Sequence, residues 1–542
     1  MAGNSFNGQK PGAGGNQDIE QLIKSYTSKM LGHRASSQAP PPRKPQPENS
    51  GLPLPPVTPQ PPQELLTDSL GHPSPGDDSS LTVGPGGPIL MEDVYFFNKL
   101  AHFGRERIPP RVVHAKGAGA FGYFETHQSM EKYTMAGFLQ RQGQRTRVFV
   151  RFSQAGGLHG SPDTARDIRG FAVKFYTEQG IYDLVSNHLP VFFLRDAIRF
   201  PDLFHALMPD PASGLPGPQR FWDFISLTPE ATHMVTWLYS DRGLVKSYRH
   251  IDGFGVNTYI WVNKNGLRRF VKFHWKTQQG LQTIDGAEAQ RLAGQDSSAA
   301  ARDLYESIAA GEQPSYRLCV QLMDPAEADR LDFDPLDPTK TWPEAQYPLL
   351  TVGMLTLDRN PENVFAQVEQ AAFSPANLVP GVEFSADKLL QGRSFIYHDA
   401  QRYRLGTNFE QLPVNRPINP VANCQQDGAM TYHYQSSPIN YLPNSLAGNS
   451  PHQPTPPDII GPFVEGYIQR TPIRKANDFV QAGHRWRSLG PAGQQHLTGA
   501  IACELALTRQ DIQQRVIGYF HRADESFGTA VAQAVLRCKG EV

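Results

Sequence analysis

The stretch GRSFIYHDAQRYRLG, Gly392 to Gly406, holds the residues best suited to chemistry. Its spacing predicts that, in a helix, Arg393 and Tyr397 stand one turn apart on a common face. Arg404, seven residues beyond Tyr397, returns to about the same side. A guanidinium beside a tyrosine hydroxyl favours the phenolate, and a bound ferric ion would favour it further. The group then becomes an anionic oxygen ligand for iron.

Other candidates are weaker alone. His114 stands in RVVHAKG, and a single histidine after two valines is usually a satisfied core residue. Arg151-Phe-Ser153 ends an aromatic run. Its arginine needs an anionic partner, either Asp163 or Asp167 nearby in sequence or a carboxylated ligand. Asn187 precedes the apolar run Leu189–Leu194. It could cap a turn or aim a carboxamide donor into an apolar cavity. Gly117-Ala-Gly-Ala-Phe-Gly122 matches a dinucleotide fingerprint, but no apolar-faced helix or βαβ unit surrounds it. Close backbone packing is the preferred reading of those glycines.

These residues need a frame. RTRVFVRFSQ, RGFAVKFYT, LPVFFL, RRFVKFHWKT and YPLLTVGMLTL read as strands of a large barrel or sandwich. Residues 287–312 read as helical, and helical patterns resume from about 475 to 540. Residues 410–465 read as a long irregular segment. Residues 40–62 hold eleven prolines and cannot bury a core; QDIEQLIKSYTSKML before them could form a short amphipathic docking helix. Four segments are therefore expected: a Pro-rich tail over 1–84, a β-rich core over 85–409, a wrapping loop over 410–470 and a helical domain over 471–542. The class is α+β.

Composition excludes several functions. Lys and Arg number 51 against 52 Asp and Glu, so no basic nucleic-acid footprint or polybasic anchor is encoded. Neither a signal peptide nor a membrane-spanning run is evident. The four cysteines form no C-x-x-C pair, which suits reduced thiols in the cytoplasm.

Taken together, the motifs resemble the monofunctional haem catalases. They are RERIPPRVVHAKGAGAFGYFE (105–125), RFS (151–153), DTARDIRGFAVKFYT (163–177), DLVSNHLPVFFLRDAIRFPDLFH (183–205), NPENVFAQVEQAAFSP (360–375) and LLQGRSFIYHDAQRYRLG (389–406), with shorter matches between them. The resemblance covers about 85 to 540. It implies a large antiparallel β-barrel core with a wrapping loop and a C-terminal helical domain. The implied activity is disproportionation of hydrogen peroxide to water and oxygen.

By that resemblance, His114 is the distal acid–base group, Asn187 the distal hydrogen-bond donor and Ser153 the partner that orients the histidine. Tyr397 is the proximal iron ligand, kept a phenolate by Arg393. Arg111, Arg151 and Arg404 hold the haem propionates, which displaces the ion-pair reading of Arg151. Val113 and Asp167 flank the peroxide channel. Phe192, Phe200 and Phe373 line the haem pocket. Haem b is the default, with haem d as the alternative.

The sequence also departs from the family pattern. His188 follows Asn187 where a second Asn is common; it either adds a titrating group to the distal side or faces away. His398 follows Tyr397 where many members have Pro or Thr. Gln401 and LVPGVEF look more like the large-subunit branch, yet no flavodoxin-like domain follows. Ser374 stands where some members carry a histidine crosslinked to the tyrosine, so no crosslink is expected. His233, Ser240, Arg242, Lys276 and Trp342 match a surface NADPH site, but Asp252, Phe254 and Glu344 replace its usual residues. The added carboxylate at 344 would repel the dinucleotide, and NADPH is not expected. The family implies a homotetramer, with the N-terminal tail left to a separate protein partner. The rival reading is a catalase-fold enzyme for lipid hydroperoxides; Val113 argues against it, since those enzymes carry Thr before the distal histidine.

Overall fold

The computed structural model describes residues 65–446 and 461–540, apart from 435, 462, 463, 474 and 476. The anticipated docking helix and proline tract before residue 65 lie outside the described residues.

Ten strands lie in one antiparallel sheet: β1 (Gly117–Thr126), β2 (Arg145–Gln154), β3 (Arg169–Thr177), β4 (Gly180–Asn187), β5 (Gly253–Phe254), β6 (Tyr259–Val262), β7 (Arg268–Thr277), β8 (Ser315–Met323), β9 (Leu350–Arg359) and β10 (Val382–Phe384). Strands β1 to β5 follow one another, β5 pairs with β7, β7 with β8, β8 with β9, and β9 with β1. This closes an eight-stranded barrel. Closure removes the exposed edges that so much β-branched and aromatic sequence would otherwise present. Strand β6 lies beside β5 on the same edge of β7 and carries β10.

Strand β2 shows why its sequence lacks a clean apolar–polar alternation: it is buried on both faces from Thr146 onward. Alternate side chains face opposite ways. Val148, Val150 and Phe152 join the barrel interior, where Phe152 packs on Phe171 with ring centroids 4.7 Å apart. Phe149 turns outward onto Phe373, while Arg151 and Ser153 line an external cavity. In β1 a Cβ on Gly122 would lie 1.9 Å from the Thr356 carbonyl oxygen. The glycine motif is therefore a close-packing device within a strand.

One expected strand is absent. LPVFFL (189–194) is buried but forms no ladder. Pro190 lacks an N–H, and the run instead packs with Phe204, Phe221 and Trp222 in a second core shared with the C-terminal helices. Burial made it apolar, not strand pairing.

The helical reading of 287–312 resolves into helices Gly286–Gln295 and Ala299–Ala309. Residues 409–446 are irregular where described, beyond one short turn at Phe409–Gln411. Four helices, Val480–Ser488, Pro491–Leu505, Gln510–Ala523 and Glu525–Gly540, complete the chain. Their docking is specific: Glu504 accepts hydrogen bonds from the Trp222 indole, at 3.2 Å, and from the Tyr239 hydroxyl.

Candidate active site

The stretch singled out first lies in helix Lys388–Leu405. Asp387 caps its start, accepting the N–H groups of Leu389 and Leu390 at 2.9 and 3.0 Å. Gly406 ends it with φ of 101°. One turn separates Arg393 from Tyr397, and Arg393 Nη2 donates to the tyrosine hydroxyl at 3.2 Å. The guanidinium is held from two other directions: Nη1 donates to Asn257 Oδ1 at 2.5 Å and Nη2 to the Val185 carbonyl at 3.0 Å. Asn257 in turn donates to Asp387 at 2.7 Å. The helix cap thus also fixes the arginine that fixes the tyrosine. Burial opposes the Arg393 charge, but Tyr397, Tyr259 and Asp387 outweigh it and hold its pKa above the ordinary value.

His114 lies just before β1. Its φ is 64°, an uncommon conformation for a residue with a side chain. Three contacts hold it there. Its N–H donates to the Ala155 carbonyl at 3.1 Å, its carbonyl accepts from Arg151 at 2.9 Å, and Nδ1 pairs with Ser153 Oγ at 3.0 Å. Burial, then the positive charges of Arg151, Arg393 and Arg111, depress its pKa to about 3. The imidazole is consequently neutral near pH 7 and able to accept a proton. Asn187 ends β4 opposite Gly170, which also pairs with Ser153.

These groups surround a cavity of about 490 Å³, within the range of small-molecule sites. His114, Asn187, Ser153, Val113, Phe192 and Phe200 line it, as do Phe373, Arg393, Tyr397, Arg404, Arg111 and Arg151. All twelve residues singled out as catalytic, cofactor-binding or metal-ligating therefore meet in one space. Phe192 and Phe200 stack with centroids 6.2 Å apart. Asp167 does not line the cavity; its carboxylate accepts the N–H groups of Gly156 and Ile168 at 2.9 and 2.7 Å. His188 faces away from the cavity, and His398 turns to Asn377 at 3.0 Å.

Sequence reasoning missed Asn257, Glu369 and Gly170. A π-helical turn, Phe365–Glu369, aims backbone carbonyls at the arginines: Arg111 donates to Val368, Glu369 and Ala371, and Arg404 donates to Glu369 and Ala371. The Glu369 carboxylate lies 3.5 Å from Arg111 and 3.8 Å from Arg151. No local pattern marks it, because its partners are far away in sequence.

Does this site suit haem? Three guanidiniums share one nearby carboxylate, and the buried Arg111 Nη1 and Arg151 Nε lack hydrogen-bond partners. Burial and the neighbouring Arg151 and Arg404 charges push the Arg111 pKa well below its usual value. Such a surplus fits a ligand with two carboxylates. Tyr397 and Tyr403 bring phenols to the same cavity, and of the two only Tyr397 is held by a guanidinium; among the described residues no cluster of His, Cys, Asp or Glu could hold a bare metal ion. A largely apolar cavity lined by a guanidinium-held phenol and by three arginines in surplus of carboxylate fits an iron porphyrin.

Comparisons with known proteins agree. The catalase family model matches residues 67–448, and the catalase-related immune-responsive model matches 472–535. The chain is 48% identical to the catalase of Methanosarcina barkeri over 87% of this chain and 94% of that protein. It is 47% identical to the catalase of Streptomyces coelicolor over 87% and 98%. A solved structure of a bacterial catalase superposes with a TM-score of 0.84 at 38% identity, covering 88% of this chain and 97% of that one. On this fold, this cavity and these matches, the chain belongs to the catalase family.

Proposed function

We propose that the chain converts two molecules of hydrogen peroxide into two of water and one of oxygen. The observation that supports this is one cavity lined by His114 and Asn187 together with Arg393 and Tyr397, where Arg393 donates to the tyrosine hydroxyl at 3.2 Å. Tyr397 would ligate haem iron, Arg111, Arg151 and Arg404 would hold the propionates, and Val113, Phe192, Phe200 and Phe373 would pack the macrocycle. Bound there, haem supplies the redox chemistry of peroxide cleavage.

The chain's own residues handle protons and position. His114 takes the proton from one peroxide oxygen and returns it to the other, which requires the neutral ring found here. Ser153 orients that ring through Nδ1, leaving Nε2 for the proton transfer. Asn187 donates a hydrogen bond to peroxide. Arg393 donates to the Tyr397 hydroxyl oxygen at 3.2 Å and so positions the atom that would ligate iron. The phenylalanines exclude bulk water and larger donors. Lipid hydroperoxides are not favoured, since the relatives are catalases and Val113 lines the cavity beside His114.

Haem b is the form proposed, with haem d as the alternative; Ser374 offers no histidine to crosslink Tyr397. NADPH is not part of this reading. His233 is buried, with Nδ1 donating to the Thr339 carbonyl at 2.9 Å and Nε2 accepting from the Trp237 indole at 3.1 Å. Asp252 already faces Lys276 at 3.3 Å and Arg242 at 3.8 Å, so the cations a dinucleotide would need are engaged.

A homotetramer is supported by large apolar side chains that this single chain leaves exposed before the barrel: Leu70, Met91 and Phe103. The four free cysteines suit a reducing cytoplasm. No described helix is long and apolar enough to cross a membrane. Residues 1–84 are read as a tail for a separate partner; deleting residues 1–80 should leave specific activity intact.

The deciding experiment is oxygen evolution from hydrogen peroxide, with the haem spectrum of the same sample. Rapid oxygen release with a high-spin ferric spectrum supports the proposal. A normal spectrum without oxygen would overturn it.

A further inference from the structure

His188 directly follows Asn187 and is buried, yet the chemistry above makes no use of it. Both ring nitrogens are engaged. Nδ1 accepts the backbone N–H of Arg169 at 2.8 Å, and Nε2 donates to the Arg242 carbonyl at 2.9 Å. One acceptor and one donor define a neutral ring protonated at Nε2. Burial and the flanking Arg169 and Arg242 guanidiniums keep it neutral, well below the ordinary imidazole range.

These bonds form where β3 and β4 separate. The last regular pair is Gly170 with Asn187. The backbone N–H of His188 still donates to the Arg169 carbonyl at 2.8 Å. In a continued ladder the Arg169 N–H would return to the His188 carbonyl. The imidazole takes that hydrogen instead. The chain can then leave the sheet without stranding a buried donor. Both halves of the distal face meet at this point: Gly170 lies against His114 and Ser153, and Asn187 lines the cavity.

We propose that His188 is a positioning residue for the distal face. Its ring clamps the end of β4 to β3 and to the Arg242 loop, and so sets where Asn187 presents its carboxamide relative to His114. This rests on the catalase reading for its kinetic consequence. The ring itself relays no proton, since both nitrogens are committed to backbone groups outside the cavity.

The test uses the haem-loaded enzyme and the variants H188L, H188N and H188Q. Readouts are kcat for oxygen release, haem per subunit, the Soret maximum, and the rate of cyanide association with the ferric haem. In H188L, kcat and the cyanide rate should fall on the order of tenfold, with haem content and Soret position at wild-type values. H188Q, which offers one acceptor and one donor, should recover more than H188N, whose shorter side chain reaches Arg169 alone. The proposal is overturned by a loaded H188L within twofold of wild type, by a loss that scales with haem content, or by Gln performing no better than Asn. Should H188L not load, the Gln-against-Asn comparison decides alone. Wild-type protein without oxygen release would sink the catalase reading, while the cyanide rates would still decide the clamp.

Discussion

A methyl group on Gly170 would lie 2.8 Å from Nδ1 of His114. It would also come within 2.6 Å of Ser153 Oγ. The bond that orients the distal histidine thus exists because β3 carries no side chain at this point. Gly170 has no left-handed φ to satisfy, so the requirement is one of space.

Gly170→Ala should therefore separate Ser153 from His114. Oxygen release should drop on the order of tenfold to 100-fold with haem still bound, since misplacement of a reacting group is costly. Stability should fall by about 1–3 kcal/mol from overpacking. Paired kinetics and thermal melts check this; unchanged activity would refute the orienting role of Ser153.

Asn257→Leu should act on the proximal side. It removes the group that accepts from Arg393 and donates to Asp387. Leaving those buried partners unsatisfied costs about 1–3 kcal/mol. The Soret band should shift as the guanidinium loses its fixed place beside Tyr397. Absorption spectra and denaturant midpoints of the loaded variant test both effects.

Glu369→Gln should oppose two properties to each other. The carboxylate is the nearest counter-charge to Arg111 and Arg151, so the haem-free protein should lose stability. The larger positive surplus should then hold the propionates more tightly. Haem transfer to an acceptor protein is expected to slow, whereas Arg404→Leu should speed it. Equal changes in both variants would contradict the charge argument.

The pH dependence of stability follows from histidines outside the cavity. Burial, aided by neighbouring cations, lowers His233 and His274 from the ordinary 6.5 to about 3. Between those values the unfolded chain binds more protons, so stability is lost as pH falls. Each contributes up to about 5 kcal/mol across that window, at roughly 1.36 kcal/mol per pH unit. Asp387 acts oppositely: burial raises it from 3.8 to about 6, so its share is full below 3.8 and lost as pH rises through 6. Burial also raises Asp167, Asp183, Glu230 and Asp358, but it lowers His114 and His188 as strongly as the first two histidines, and the histidine shifts are the larger. The melting temperature should fall as pH drops from 6.5 towards 4, and His274→Leu should flatten that slope.

The sequence alone determined what depends on near neighbours. The four-residue spacing of Arg393 and Tyr397 is a property of one helix, so their meeting at 3.2 Å was legible without a fold. The runs of β2, β3, β7 and β9 and the four closing helices were equally plain, because β-branched and aromatic residues mark the strands and apolar residues recur at helical spacing in the helices. LPVFFL was misread as a strand, since a buried loop and a buried strand are apolar alike. Tertiary structure alone decided which distant groups face each other. Arg111, Arg151 and Arg404 converge at one rim only because β2 lies beside the π-turn and the tyrosine helix. Asn257, Glu369 and Gly170 carry no local signal, for each acts through partners far along the chain. The direction of His188 was undecided until the separation of β3 and β4 supplied its two backbone partners. Local periodicity is written along the chain, whereas charge balance and free space at a site arise only when barrel closure brings its walls together.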